Sequence, residues 1–385
     1  MRLFAIIPHM AELGETPSGN RVHIAFFGLR NAGKSTLVNR FTGQNIAIVS
    51  DVAGTTTDPV SKAMEILPLG PCVITDTAGL DDLGELGEMR VSKTLNVLAT
   101  TDVAVWVEAL DEQPNEWRMR LEADCGKRKV PFMVHRREDS VESLKARIAE
   151  IKLTDTPPAL LEGLAKSGDR VICVCPIDES APKGRLILPQ VQVLRECLDI
   201  GAVCTVCQPQ TLDAALAQTG ENGVLVITDS QAFGEVKRIV AGRDVRLTSF
   251  SILFARQKGD IAEYVKGLAA IRSLEDGARV LVAEGCTHHR QCNDIGTVKI
   301  PKALSKMSGR RLEFSFASGG SFDVAVDGAP FQLVVQCGGC MLTRREVMRR
   351  ISLCREHGIP IINYGMLLAA ANGLEGLTEE GIVKE

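Results

Sequence analysis

The residues best suited to chemistry form a glycine-rich segment, GLRNAGKS, at positions 28–35. It fits the pattern G-x-x-x-x-G-K-[ST], in which backbone N–H groups converge on phosphate oxygens and the following helix adds its positive dipole end. In this pattern Lys34 supplies a positive charge to the outer phosphates, and the hydroxyl of Ser35 is a ligand of Mg²⁺. The phosphate-binding residues that we predict are Gly28, Asn31, Ala32, Gly33, Lys34, Ser35 and Thr36.

Two downstream segments complete the expected nucleotide site. The sequence DTAG at 76–79 follows an apolar run, so Asp76 can hold the hydration shell of Mg²⁺ and the Gly79 N–H can sense a γ-phosphate. In between lies GTTTD at 54–58. In this order and spacing the segments resemble the G1, switch I and switch II elements of translation-factor-like GTPases. Thr56 matches the second threonine of their GTTxD pattern and is the predicted switch I ligand of Mg²⁺.

Three further residues bear on hydrolysis. Asn31 stands where members of the TrmE-like branch of these GTPases carry an asparagine, and that resemblance implies K⁺ as an activating cation bound by this residue. Glu85 and Glu88, in the expected switch II region, are candidates for positioning the attacking water, and both equally fit a role as solvated helix charges. We therefore expect a slow, K⁺-activated GTPase.

Guanine recognition departs from the usual pattern. Segment 134–139 reads VHRRED where such GTPases carry Asn-Lys-x-Asp, whose carboxylate accepts hydrogen bonds from guanine. Glu138 or Asp139 can supply a carboxylate there, and we assign Glu138 to the nucleotide site. The sequence predicts no sixth strand after this segment, so the sheet is expected to be truncated at its last strand. Because a base-reading site can discriminate by about 10⁴–10⁵, its erosion predicts weaker guanine preference with GTP still the nucleotide.

The C-terminal part of the chain carries a second set of reactive side chains. Cys286 and His288 follow one apolar run, while Cys337 and Cys340 follow another. If both runs are strands of one sheet, their ends can converge and bring the four side chains together. Three thiolates and one imidazole suit either zinc or a 4Fe–4S cluster, and the C-x-H spacing, unusual for zinc, favours the cluster. Alternative ligands are His289 and Cys292.

Other cysteines are predicted to be core residues. Cys204 and Cys207 also have C-x-x-C spacing, but they lie within an apolar run whose strand alternation turns them to opposite faces. Cys173 and Cys175 are expected to share one face of a neighbouring strand, which is typical of packing. The remaining open alternative is that Cys337 and its partner three residues later form a reducible pair rather than a metal site.

Composition narrows the possible partners. The formal net charge is −4 and aromatic residues are 4% of the chain, which argues against nucleic-acid binding. There is no apolar run of the roughly 20 residues needed to span a bilayer, so we expect a cytoplasmic protein without a membrane partner. In that compartment the 12 cysteines are not expected to form disulfides. Arg345 and Arg349 share one helical face, either solvated or an electropositive wall for an anionic iron precursor or an acidic partner.

Hydrophobic periodicity indicates an α/β protein in several blocks. Apolar runs alternate with helical patterns, which predicts a parallel sheet with helices on both faces in an N-terminal P-loop domain, followed by two smaller α/β domains. The predicted strands are 22–27, 73–75, 103–107, 132–134, 171–175, 202–207, 224–228, 278–283, 331–336 and 359–362. The predicted divisions are a leader at 1–20, a GTPase domain at 21–155, a dimerisation domain at 165–274 and a cluster-binding domain at 275–385.

Taken together, the motif sets resemble the FeFe-hydrogenase maturation GTPases, the HydF family. The likeness covers nearly the whole chain and is carried by segments 54–59, 79–87, 181–187, 227–231, 284–288, 337–340 and 363–365. It implies a homodimer with a 4Fe–4S cluster on Cys286, Cys337 and Cys340, and with His288 as an exchangeable fourth ligand. It also implies a scaffold that receives a diiron precursor from radical-SAM maturases and delivers it to apo-FeFe-hydrogenase, with nucleotide turnover gating partner exchange.

Two other functions stay open at this point. One is a TrmE- or Era-like GTPase that acts on RNA, which the low aromatic content and the cysteine–histidine set argue against. The other is a zinc or redox protein whose nucleotide domain is vestigial. Salt-dependent RNA binding by metal-free protein would favour the first, and stoichiometric zinc after iron–sulfide reconstitution would favour the second.

Overall fold

The structure is a computed structural model of the 385-residue chain. The residues that it describes are 18–43, 59–81, 94, 97–109, 115–152, 157–177, 186–285, 294–319, 322, 324–326, 329–339 and 342–374. The chain divides into two compact units, Met1–Thr156 and Pro157–Glu385. Their boundary coincides with the Thr-Asp-Thr-Pro-Pro segment at 154–158, which breaks the preceding helical pattern.

The first unit is built on one five-stranded sheet. Its strands are β1 (Val22–Phe27), β2 (Val60–Ile66), β3 (Gly70–Asp76), β4 (Val103–Val107) and β5 (Phe132–His135). Their spatial order is β2-β3-β1-β4-β5, and every pairing is parallel except that of β2 with β3. The helices described for this unit are α1 (Lys34–Thr42), α2 (Glu116–Lys127) and α3 (Val141–Ala149).

The central strand β1 shows why this sheet is covered on both faces. Ile24 and Phe26 pack into one apolar cluster, whereas Ala25 and Phe27 pack into another on the opposite face. A continuous apolar run of this kind is typical of a parallel strand between two layers of helices. Among the residues of this first unit that the structure describes after β5, α3 is the last regular element, as expected for a sheet without a sixth strand.

The second unit contains two four-stranded parallel sheets. The strands of the first are β6 (Arg170–Val174), β7 (Val203–Cys207), β8 (Val224–Thr228) and β9 (Val245–Ser249), in the spatial order β7-β6-β8-β9. Its helices are α4 (Leu188–Ile200), α5 (Leu212–Thr219), α6 (Phe233–Val240) and α7 (Phe250–Lys258). A second helix, α8 (Ile261–Ala270), follows α7 after a two-residue turn.

The other sheet of this unit orders β11-β10-β14-β15. Its strands are β10 (Arg279–Glu284), β11 (Glu313–Ser318), β14 (Leu333–Gln336) and β15 (Ile361–Asn363), and a short hairpin pairs β12 (Ala325–Val326) with β13 (Ala329–Pro330). Its helices are α9 (Ile300–Ser308), α10 (Arg344–Glu356) and α11 (Tyr364–Ala371). One apolar cluster contains side chains of both sheets, from Ile172 to Leu374.

Candidate nucleotide and cluster sites

The phosphate loop lies between β1 and α1, where the carboxyl end of the sheet is crowded. A Cβ built on Gly28 would lie 2.6 Å from the carbonyl oxygen of Val107, so only glycine fits there. Gly33 precedes α1 with φ 88°, a left-handed conformation that also favours glycine. The ammonium of Lys34, 7% exposed, donates hydrogen bonds to the carbonyl oxygens of Leu29 (2.7 Å) and Gly28 (3.3 Å). The Lys34 ammonium is thus held next to the phosphate loop by two of the loop's own carbonyl oxygens.

The other predicted loop residues complete this cradle. Asn31 is exposed and has φ 63°, a left-handed conformation that asparagine tolerates better than most residues. The N–H of Ala32 donates to the carbonyl oxygen of Leu29 at 3.3 Å, which closes a tight turn. Thr36 lies in the first turn of α1 and is partly buried. Asn31 and Thr36 therefore occupy the positions expected from the motif, at the N-terminus of α1.

A buried carboxylate and a hydroxyl meet next to this loop. The Ser35 hydroxyl donates a 2.6 Å hydrogen bond to Asp76 Oδ2, and the Asp76 side chain is fully buried at the end of β3. Burial raises the pKa of Asp76, while the hydrogen bond from Ser35 and the charge of Lys34 oppose that shift. Asp76 Oδ1 has no hydrogen-bond partner in the described part of the chain. A carboxylate and a hydroxyl arranged in this way match the oxygen ligands that Mg²⁺ prefers.

The start of the predicted switch II segment lies against the phosphate loop. A Cβ on Gly79 would lie 2.8 Å from the backbone nitrogen of Arg30, which requires glycine at this position. The same Arg30 N–H donates to Asp81 Oδ1 at 2.5 Å, and the Leu80 N–H donates to the carbonyl oxygen of Gly28 at 3.3 Å. Gly79 therefore packs directly against the backbone of the phosphate loop, and its predicted contact with a γ-phosphate stays a prediction.

The base-recognition segment follows β5. His135, which ends this strand, is 6% exposed, and burial lowers its pKa. Asp139 is engaged locally, because its Oδ2 accepts a 2.9 Å hydrogen bond from the Arg136 N–H and lies 4.0 Å from the Arg147 guanidinium. Glu138 is exposed. Of the two carboxylates considered from the sequence, Glu138 is thus the one not committed to that turn.

The second candidate site forms where β10 and β14 end side by side. The Cys337 N–H donates to the carbonyl oxygen of Ala283 at 2.9 Å, and the Gly285 N–H donates to Cys337 Sγ at 3.0 Å. A Cβ on Gly285 would lie 2.4 Å from Leu342 Cγ. Gly285, immediately before Cys286, thus contacts Cys337 at the start of the C-x-x-C segment and Leu342 just after its end. The predicted convergence of the two strand ends is confirmed for the residues described.

Several predicted site residues lie outside the described residues. They are Thr56, Glu85, Glu88, Cys286, His288 and Cys340, together with the alternative ligands His289 and Cys292. Their assignments stay predictions. Among the residues that the structure does describe, there is no group of three or more His, Cys, Asp or Glu side chains that could hold a metal.

Two buried hydrogen-bonded pairs at the ends of β10 and β14 were not predicted from the sequence. Glu284 and Gln336 end β10 and β14, and they are 7% and 1% exposed. The Tyr364 hydroxyl donates to Glu284 Oε1 at 3.5 Å, and Gln336 Nε2 donates to the Tyr264 hydroxyl at 2.6 Å. Burial raises the pKa of both tyrosines, so they remain neutral hydrogen-bonding groups. The only sequence signal was a polar residue at the end of each apolar run.

The second C-x-x-C pair behaves as predicted. Cys204 packs into the apolar cluster on one face of its sheet and Cys207 into the cluster on the other, which confirms that strand alternation separates them. Cys173 and Cys175 share the first of these clusters, also as predicted. Burial raises the pKa of Cys175 to about 12. Cys173 and Cys175 are therefore buried core residues, while the half-buried Cys204 and Cys207 pack on opposite faces of the sheet and do not converge on one site.

The predicted basic face on α10 is partly neutralised. Arg349 pairs with Glu346 through Nε and Oε2 at 2.7 Å, and the fully buried Arg350 shares the same carboxylate at 2.8 Å. Both arginines hold the pKa of Glu346 below its usual value, against the effect of burial. Arg349 thus belongs to a structural ion-pair network, which weakens its interpretation as an electropositive wall.

The parallel sheet, the phosphate loop and the Ser35–Asp76 pair define a P-loop GTPase domain joined to a second α/β unit with a cysteine-bearing edge. A family model described as a 50S ribosome-binding GTPase matches residues 23–136. The hydrogen maturase F dimerization domain matches residues 160–259, and the hydrogen maturase F tetramerization domain matches residues 262–377. The chain belongs to the hydrogen maturase F family.

Similar proteins agree with the GTPase domain. The chain is 29% identical over 152 residues to the tRNA modification GTPase MnmE of Endomicrobium trichonymphae, an alignment that covers 39% of this chain and 30% of that protein. It is 40% identical over 93 residues to GTPase Der of Campylobacter fetus subsp. fetus, covering 24% of this chain and 20% of that protein. The chain thus spans less than a third of the length of either relative.

A solved structure of Aquifex aeolicus Era Y63A bound to GDP.AlF4- is 16% identical, with 77% of this chain and 93% of that chain covered at a TM-score of 0.25. A superposition this weak supports no functional comparison. Within the described residues, no helix has both the length and the apolar character required to cross a membrane.

Proposed function

We propose that this protein is a GTP-binding scaffold of FeFe-hydrogenase maturation that holds a 4Fe–4S cluster, receives a diiron precursor from radical-SAM maturases and delivers it to the cytoplasmic apo-hydrogenase. The observation that carries the proposal is the Gly285 N–H···Sγ contact to Cys337, because it joins the two cysteine segments at one sheet edge. Membership of the hydrogen maturase F family supports the same role. The dimerization-domain match supports a homodimer.

The residues around Cys337 fit an iron–sulfur cluster. Backbone N–H donation to a cysteine sulfur is one of the ways in which proteins tune such clusters, and Gly285 makes this contact. We assign Cys286, Cys337 and Cys340 as thiolate ligands and His288, with His289 as its alternative, as the exchangeable fourth ligand. When bound, the cluster supplies iron whose imidazole ligand a precursor can replace.

In this proposal, GTP binding and hydrolysis in the GTPase domain control when partner proteins bind and leave. Lys34 and the loop N–H groups bind the phosphates, and Ser35, Asp76 and Thr56 hold Mg²⁺. Ordering of the switch segments by the γ-phosphate and their release after hydrolysis then alter the surface offered to partners. We assign K⁺ to Asn31, the positioning of water to Glu85 or Glu88, and base contact to Glu138. We expect slow hydrolysis because the base-recognition segment VHRRED at 134–139 departs from Asn-Lys-x-Asp.

Anaerobic reconstitution with iron and sulfide, followed by EPR of the reduced protein, tests the scaffold. We expect a 4Fe–4S signal that disappears in Cys337→Ala and persists in Cys207→Ala, a matched control because Cys207 is also half-buried and also in a C-x-x-C pair. An undiminished signal in Cys337→Ala refutes the ligand assignment. Stoichiometric zinc in place of iron would favour the zinc protein, and salt-dependent RNA binding by metal-free protein would favour the RNA-acting GTPase.

A further inference from the structure

A buried lysine reaches the loop that carries Cys337. Lys258 is the last residue of α7, its side chain is 3% exposed, and it belongs to the segment matched by the dimerization domain. Its ammonium donates hydrogen bonds to the carbonyl oxygens of Gly339 (2.8 Å) and Leu342 (3.0 Å). These two residues lie on either side of position 340, within the segment matched by the tetramerization domain.

The burial of this charge requires compensation, since an ammonium removed from water is costly unless it is fully hydrogen-bonded. The two carbonyl oxygens provide part of that compensation, and the negative end of the α7 dipole, at which Lys258 lies, provides more. The end of α7 is fixed in turn. Arg344 donates a hydrogen bond to the carbonyl oxygen of Gln257, and the ring of Tyr264 lies where a Cβ on Gly259 would be.

The loop that Lys258 contacts also touches the ends of β10 and β14, where Cys337 lies. The carbonyl oxygen of Gly339 also accepts a 3.0 Å hydrogen bond from the Leu342 N–H, and Gly339 has φ 68°. Leu342 lies against Gly285, whose N–H donates to Cys337 Sγ. A single chain of contacts therefore runs from the Lys258 ammonium through the loop to the sulfur of Cys337.

We propose that Lys258 is a positioning residue for the 4Fe–4S cluster and that its buried charge raises the reduction potential of the cluster. This inference rests on the proposed function, since it needs a cluster at Cys337. Reduction adds one negative charge to the cluster. A fixed cation in a buried environment stabilises the reduced form more than the oxidised form, and the effect is weakly screened there.

The test compares Lys258→Met with the wild type and with Lys237→Met. Lys237 is a matched control because its ammonium also donates to a backbone carbonyl, that of Gly373, at 2.9 Å. In an EPR-monitored redox titration we expect reduction of the Lys258→Met cluster to be about tenfold less favourable, which is about 59 mV lower for a one-electron couple. We expect Lys237→Met to match the wild type and Lys258→Arg to retain most of the wild-type potential.

Hydrogen exchange of the metal-free proteins tests the positioning part independently of any cluster. Amides of residues 337–343 should exchange faster in Lys258→Met than in Lys237→Met. If the amides exchange faster in Lys258→Met but no variant assembles a cluster, the proposed function is rejected, while the structural contact between Lys258 and the loop is confirmed. An unchanged potential in a loaded Lys258→Met protein, or unchanged exchange, overturns the inference. If Lys258→Met does not fold, Lys258→Gln is tested in its place. If neither neutral variant folds, Lys258 has a purely structural role and the inference is overturned.

Discussion

Replacement of Lys34 by alanine is the most direct test of the nucleotide site. In the structure its ammonium already lies at the mouth of the phosphate loop, 2.7 Å from the carbonyl oxygen of Leu29. The substitution therefore deletes a pre-positioned charge-assisted contact to phosphate, which is worth about 1.5–3 kcal/mol. At about 1.4 kcal/mol for each factor of ten, the Kd for GTP should rise roughly 10- to 150-fold.

Isothermal titration calorimetry with GTP and Mg²⁺ measures this change. Lys62→Ala is a suitable control because Lys62 is an exposed lysine on β2 of the same unit, and it should bind GTP as the wild type does. Iron content after reconstitution should be equal in the wild type and Lys34→Ala, since Lys34 belongs to the first compact unit and Cys337 to the second. A Kd within twofold of the wild type for Lys34→Ala would refute the proposed role of this loop.

Two further predictions concern Asp76 and Gly285. Because burial raises the folded-state pKa of Asp76 above 3.8, its contribution to stability is present at low pH and is lost as the pH rises through that raised value. Asp76→Asn should therefore raise the Tm of the metal-free protein at pH 7 while it weakens Mg²⁺-dependent GTP binding, and a lower Tm in EDTA would contradict this. Gly285→Ala should lower the iron content per protein, because its Cβ would lie 2.4 Å from Leu342 Cγ. Leu342→Ala in the same chain should restore the iron, and no recovery would argue against this steric cause.

Buried strands and the helix after the phosphate loop were accessible from the sequence. The bounds predicted for β1, β4 and β8 are those of the structure, since each is a continuous apolar run buried on both faces. Among the strands of the three larger sheets, the edge strands β2, β9 and β11 were missed, β2 and β11 for a clear reason. Residues 61–63 of β2 are exposed and polar or small, and β11 contains no buried residue, so neither shows the expected pattern.

Prediction of the sites followed the same division. The phosphate loop and Asp76 follow from local motifs, because their chemistry is fixed by neighbours in sequence or by the end of one strand. The burial of Lys258 and Glu284 was not predictable, since it depends on partners such as Gly339 and Tyr364, more than 75 residues away. The convergence of the cysteine-bearing ends of β10 and β14 was predictable only because these strands were assumed to be neighbours in one sheet.

The apolar cluster shared by the two sheets of the second unit has a mechanical consequence. Side chains on both sides of the turn at 259–260 contribute to it, including Ile252 before the turn and Ile361 far beyond it. Rotation of one sheet of the second unit against the other about this turn would separate the side chains of this cluster and expose apolar surface to water. The two sheets of the second unit are therefore expected to move together, so that a displacement of the first sheet also displaces the strand ends that carry Cys337.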